Sequence, residues 1–381
     1  MNLEVANAPH SPARTTRIAL LVLGMHRSGT SALTRCLNLL GAGLPKTVFG
    51  SAPDNEKGHW EPQKLLDLNN EFLFTLGSRW DDWRPLPLSD QETLSQFQNK
   101  ISEVITEEYG DAGIIAIKDP RICRFPTVYE TALAGAGFEA RFIIPFRNPL
   151  AVIQSVEKRD AMARSFASLL WLRHVVDAEA ATRGRLRVFL SYERLMENWR
   201  EAILDISHQL GVDWPNEMDA AADQIDKFLS PELQHHTSTF AELEQQKDIP
   251  DLVKEAFSAL KELENGKNAA RETLSRLKAD FDAEALLVGN AAFDELAARE
   301  NKFSARIQEQ DRRATQQEAN IHDLKRELAA VKSANSNLSE QAATWEETRA
   351  RLALQIQSLG DEITKYRSGP FRRLWNKLVR H

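Results

Sequence analysis

Residues 18–36 read IALLVLGMHRSGTSALTRC, and they leave the chain few ways to fold. Ile18 to Leu23 is a short apolar run of the kind that forms a buried strand, and it ends at Gly24. The loop Met25-His26-Arg27-Ser28-Gly29-Thr30-Ser31 follows, and then Leu33, Leu37 and Leu40 recur at helical spacing. Strand, glycine-flanked loop and helix in this order predict an anion site. The loop N–H groups and the positive end of the helix dipole converge on one point. Arg27 adds a planar cation suited to phosphate oxygens, and Ser28, Thr30 and Ser31 add hydroxyl donors. The stretch therefore reads as a phosphate loop, against the plainer alternative of a glycine-bearing turn in an ordinary α/β domain.

Gly24 and Gly29 fit the first part of the nucleotide-triphosphate signature G-x-x-x-x-G-K-[ST], but Thr30 stands where the lysine belongs. Arg27-Ser28-Gly29-Thr30-Ser31 places a cation before the glycine and hydroxyls after it. That order resembles the 5′-phosphosulfate loop of sulfotransferases that use 3′-phosphoadenosine 5′-phosphosulfate (PAPS), a family that usually has lysine where this chain has Arg27. A second motif, ARFIIPFRNPLAVIQSVEKRD from Ala140, reads as a strand over Phe142 to Phe146, a turn at Arg147-Asn148-Pro149 and a helix over Ala151 to Lys158. Arg147 at the strand end and Ser155 two helical turns on are placed to grip one phosphate. The same Arg-x7-Ser pair resembles the family's 3′-phosphate site. A third segment, Ser191-Tyr192-Glu193-Arg194-Leu195 after a short strand over Arg187 to Leu190, resembles the family's Tyr-Glu-Asp-Leu segment and implies Tyr192 beside the adenine. The family's later Arg-Lys-Gly phosphate contact has no counterpart, which leaves Arg159 as a weak candidate for it.

The resemblance spans residues 17–236. It implies an α/β fold, a three-layer parallel β-sheet of the P-loop/sulfotransferase type. It also implies PAPS as donor substrate and direct in-line transfer to an acceptor hydroxyl, with no metal.

A hydroxyl acceptor needs a base within reach of its proton. Gly58-His59-Trp60-Glu61-Pro62 resembles the Gly-Glu element of the tyrosylprotein branch with an insertion, which favours Glu61 over His59 as that base. The competing reading makes Glu61 a cap of the helix that starts near Gln63. Gly113 to Ile117 reads as a buried strand ending in Lys118-Asp119-Pro120-Arg121. Lys118 resembles the family's Lys-Asp-Pro lysine, which offers its charge to the transferring sulfuryl group. The alternative is a surface lysine paired with Asp119. Helical spacing covers residues 63–78 and 90–109. Between them, Trp80-Asp81-Asp82-Trp83-Arg84-Pro85 either walls an acceptor pocket or packs onto the domain.

Composition removes several other classes. The balance of 48 basic against 55 acidic residues gives a net charge of −7, which argues against a general nucleic-acid binder. Two cysteines, Cys36 and Cys123, make no disulfide framework, and the nine histidines show no metal-ligand spacing. Residues 1–16 are expected to be disordered. No apolar run is long enough to span a membrane, which points to a cytoplasmic protein.

Residues 237–295 read as a polar helical connector without assignable chemistry. From Leu296 a heptad repeat runs through residue 367. One column steps by seven from Ile307 to Ile363, the other from Leu296 to Tyr366, and Asn335 sits in the first. The expectation is a homodimeric coiled coil, with a single long helix or a fold-back onto residues 237–295 as alternatives. After Gly369-Pro370, the segment 371–380 has Phe371, Leu374, Trp375 and Leu378 on one face and Arg372, Arg373, Lys377 and Arg380 on the other. This basic amphipathic tail, within residues 368–381, suits peripheral binding to an anionic membrane or docking to a partner protein. The acceptor itself is not legible, and a carbohydrate or lipid-linked glycan is the class that a membrane-seeking tail would suit. The rival functions are a phosphate-loop kinase or NTPase, and a coiled-coil scaffold with a vestigial nucleotide domain.

Overall fold

The computed structural model describes residues 16–49, 58, 60–229 and 238–368. His59, the tail at 371–380 and nearly all of the N-terminal stretch lie outside the described residues. The chain divides into two compact units, Met1–Phe293 and Asp294–His381.

The first unit is built on four parallel strands: β1 (Arg17–Val22), β4 (Ile114–Lys118), β5 (Phe138–Phe146) and β6 (Arg187–Ser191), in the order β4-β1-β5-β6. A separate antiparallel pair, β2 (Val48–Phe49) and β3 (Glu61–Pro62), precedes β4. The apolar run of β1 is explained by burial on both faces. Ala19 and Leu21 enter one apolar cluster, and Ile18, Leu20 and Val22 enter the other. A strand covered on both sides reads as continuous hydrophobicity rather than alternation. On the second face lie α1 (Thr30–Leu39), α8 (Trp199–Leu210) and α9 (Met218–Phe228). The first face carries α2 (Gln63–Thr75), α3 (Gln91–Tyr109), α4 (Pro126–Gly135), α5 (Pro149–Asp160) and α6 (Arg164–Ala181). The three-layer parallel α/β arrangement is the expected one.

Several boundaries shift. The β5 strand starts four residues before Phe142, and α2 ends at Thr75 rather than residue 78. Cys123 lies in a 3-10 turn, Pro120–Arg124. Its burial, and that of Cys36, fits a core role.

The largest difference concerns residues 237–295. Helices α11 (Asp251–Glu264) and α12 (Ala270–Glu284) bury Phe257, Leu260, Leu274, Leu277 and Phe281 in the same cluster as β5 and α6. Phe257 meets Phe146 edge-on with ring centroids 6.0 Å apart. These helices are a layer of the α/β unit, and the compact unit extends to Phe293. Polar composition concealed this because each helix buries only one stripe. Trp83 also belongs to this layer: it stacks on Phe281 at 6.0 Å and is nearly buried, so that part of the aromatic loop packs onto the domain.

The second unit is the helix α13 (Asn290–Ser368), of which the first four residues belong to the α/β unit. It is continuous across its 79 residues. Among the described residues no helix is long and apolar enough to cross a membrane.

Candidate active site

Parallel strands place all their carboxyl ends on one edge of the sheet. Here the loop after β1, Lys118 of β4, Arg147 after β5 and Tyr192 after β6 share that edge. The chain leaves β1 toward β4 on one side and leaves β5 toward β6 on the other. The crevice between β1 and β5 is therefore the topological switch point, where open parallel sheets bind their ligands.

The phosphate loop enters this crevice closely. A Cβ on Gly24 would stand 2.7 Å from the Pro145 carbonyl oxygen of β5, so a side chain there would push the strands apart. Gly29 has φ +84° and caps the N-terminus of α1. Its missing Cβ would lie 2.3 Å from the ring of Tyr192, so the glycine allows the tyrosine to pack directly on the loop. Arg27 also has a positive φ, +69°. That left-handed conformation is strained for a non-glycine residue and is held by the surrounding contacts.

Arg27 Nε donates to Ser155 Oγ at 2.8 Å. Arg147 donates to the Arg27 carbonyl at 3.3 Å and lies over the Tyr192 ring at 4.5 Å. Residues from three separate sequence motifs thus form one cluster. Two guanidinium groups brought together through a hydroxyl and a carbonyl make a strongly positive spot beside the loop's N–H groups. Burial makes the charged form of Arg147 less favourable, which lowers its pKa, while neighbouring Glu193 raises it. Burial likewise pushes the Tyr192 hydroxyl up, so this phenol stays neutral. Asn148 caps α5 through its side chain and also donates to the carbonyls of Ser238 and Thr239, at 2.8 and 3.1 Å.

Across the loop, Lys118 Nζ donates to Glu61 Oε1 at 2.5 Å and to Ser31 Oγ at 3.4 Å. The side chains of Lys118 and Glu61 are 3% and 4% exposed. This settles two expectations about these side chains. Glu61 does not cap α2, whose N-cap is Pro62 with no side-chain cap, and Lys118 is not a surface lysine. Asp119 pairs instead with Arg121 at 2.9 Å and accepts from Asn69 at 2.8 Å. Trp60, with φ +57°, sits just before Glu61 and lies under Arg35, whose guanidinium is 4.8 Å from its ring centroid. Lys118 thus comes from the neighbouring strand β4 to within hydrogen-bonding distance of the loop residue Ser31.

Three contributors were not singled out from the sequence. His26 meets Trp80 edge to face at 5.2 Å, and its Nε2 is buried with no hydrogen-bond partner among the described residues. Burial, then the charges of Arg159, Arg121 and Lys118, hold its imidazole well below the ordinary value, so it is neutral at physiological pH. Glu264 of α11 accepts from the Ser191 backbone at 2.6 Å, and Lys261 donates to the Ser191 hydroxyl at 3.2 Å. The layer taken for a connector therefore braces the end of β6 directly before Tyr192. No short-range motif announces these contacts, although a histidine inside a phosphate loop was visible. Arg159 bonds Asp160 at 2.8 Å in its own helix. Among the described residues, no group of three or more His, Cys, Asp or Glu side chains is placed to hold a metal.

No family model matches the chain, and no curated protein matches it. Solved structures similar to it include the sulfotransferase domain of the Synechococcus PCC 7002 olefin synthase, at 18% identity and TM-score 0.37, covering 66% of this chain and 98% of that one. The sulfotransferase domain of the curacin biosynthetic pathway matches at 12% identity and TM-score 0.33, covering 70% and 99%. Sulfotransferase STF9 from Mycobacterium avium matches at 14% identity and TM-score 0.36, covering 65% and 76%. The chemistry rests on the residues described above.

Proposed function

We propose that the chain is a PAPS-dependent sulfotransferase that transfers a sulfuryl group to an acceptor hydroxyl. The observation that carries this reading is the convergence of Arg27, Arg147 and Ser155 at the switch-point crevice, with the buried Lys118–Glu61 pair on the other side of the loop.

Arg147 and Ser155 hold the 3′-phosphate, and Arg27 with the loop N–H groups and hydroxyls of Ser28, Thr30 and Ser31 holds the 5′-phosphosulfate. Gly29 lets the loop backbone approach, and Tyr192 walls the nucleotide side. Glu61 accepts the proton of the acceptor hydroxyl. The acceptor oxygen forms a bond to sulfur as the bond from sulfur to the 5′-phosphate oxygen breaks, and the electron pair leaves with the phosphate. Lys118 neighbours both Glu61 and Ser31, so one cation holds the carboxylate in place and meets the charge that develops on the sulfuryl group. His26, inside the loop, meets Trp80 edge to face. A carbohydrate or lipid-linked glycan is the acceptor class we favour.

The test is selective binding. The full chain should bind adenosine 3′,5′-bisphosphate far better than AMP in calorimetry. Arg147→Ala removes one partner of a charge-assisted contact and should erase about 2–5 kcal/mol of that preference. Equal affinity of the wild-type chain for the two nucleotides would overturn the assignment. A screen with labelled donor against glycans, lipids and peptides then identifies the acceptor.

A further inference from the structure

Along Asp294–Ser368 the apolar side chains are unburied and lie on one seam. Of the 15 exposed large hydrophobic residues there, all but Leu354 fall in the two heptad columns. Phe303 is 64% exposed, Trp345 75% and Tyr366 77%. Gln310, Gln317 and Arg349 interrupt the strip, yet an apolar heptad seam of this length on a helix is a contact surface for another chain.

The residues flanking the seam identify that chain. The column containing Ile307 is the a position of the heptad, because three residues separate it from Gln310 in the other column, d. In a parallel, in-register pair, each g residue faces the e residue five positions later in the second copy. Arg306 then faces Asp311, Arg313 faces Glu318 and Glu327 faces Lys332. Every g–e pair in which both members are charged is of opposite sign. Asn335 faces Asn335, so the two amides satisfy each other inside the seam.

The antiparallel pairing that overlaps the same stripe gives a different result. It brings g to g and e to e, setting Asp311 against Glu346 and Lys325 against Lys332, with Arg299 and Glu362 as its one attractive pair. It also buries Asn335 against Leu324, although it sets Arg349 against Gln310 where the parallel pair sets Arg349 against itself. Arg313 bonds Glu309 of its own helix at 2.9 Å, but a guanidinium has five N–H donors and reaches both carboxylates.

We infer that the α13 seam is the docking surface for a second copy of this chain, in a parallel and in-register two-stranded coil. The inference is independent of the reaction. Both N-terminal units are then attached at the same end of the pair.

The test uses the full-length chain. It should sediment as a dimer, and Leu338→Cys should form a disulfide between the two copies under mild oxidation, since Leu338 faces itself only in this register. The native cysteines, Cys36 and Cys123, are buried and should not compete. Mixing Ile321→Cys chains with Leu338→Cys chains tests the antiparallel alternative, in which these two positions meet. Glu327→Lys should raise the dimer dissociation constant on the order of tenfold, from two lost and two repulsive pairs. Adding Lys332→Glu in the same chain should restore it. A monomer, a trimer, a mixed Ile321–Leu338 cross-link, or failure of the second charge change to rescue the first would each overturn the inference.

Discussion

Glu61 and Lys118 form an ion pair 2.5 Å long whose side chains are almost entirely removed from water. Glu61→Gln keeps the shape of the residue and leaves a buried ammonium facing a neutral amide. Lys118→Met leaves the opposite, a buried carboxylate without its cation. Breaking a buried pair on one side costs about 3–5 kcal/mol, because the remaining charge stays desolvated. Replacing both partners removes the desolvation penalty together with the attraction, so Glu61→Gln/Lys118→Met should be destabilised less than the two single changes added together. The expected coupling is at least about 2 kcal/mol, measured as a double-mutant cycle in urea unfolding followed by tryptophan fluorescence. Turnover provides the second readout: Glu61→Gln should lose about 10²–10⁴ in rate while donor affinity is kept, as removal of a general base requires. Single-mutant effects that add to within about 0.5 kcal/mol would show that the two groups do not interact as described. Normal turnover in Glu61→Gln would remove it as the base and direct attention to His59.

Other consequences follow from the same contacts. Gly29→Ala should cost more than about 2 kcal/mol and abolish nucleotide binding, since its Cβ would meet the Tyr192 ring at a left-handed φ; Gly77→Ala, also at positive φ but with nothing within 4 Å, should show only the backbone cost of about 1 kcal/mol. His174 is buried and its pKa is pushed down to about 4, by burial first and then by Arg124. The unfolded chain takes up this proton near pH 6.5 and the folded chain only near pH 4, so stability present above pH 6.5 is lost as pH falls through that window, by about 3 kcal/mol. His174→Asn keeps a donor for the Leu170 carbonyl, which the ring Nδ1 contacts at 2.8 Å, and should flatten unfolding free energy against pH between 6.5 and 4; an unchanged slope would refute the assignment.

Short-range pattern determined the elements that carry the site. The run Ile18 to Leu23, the prolines and glycines at the turns and the seven-residue period are local signals, because strand, cap and helix each depend on residues a few positions apart. Arg27, Arg147 and Ser155 could be placed from the strand ends they follow, whereas Lys118 and Tyr192 were indicated by the resemblance of their segments to sulfotransferase motifs. Which of them touch was decided only by the order β4-β1-β5-β6. Arg27 and Ser155 meet across 128 positions, and Lys118 and Glu61 across 57, so no window of sequence contains either pair. The layer formed by α11 and α12 was hidden differently. Its helices are polar on average, and their apolar stripes gain meaning only once α6 and β5 are there to cover them. In α13 the reverse holds: the heptad pattern specified its seam without any help from the rest of the fold, because a coiled coil needs nothing beyond its own repeat and a matching helix.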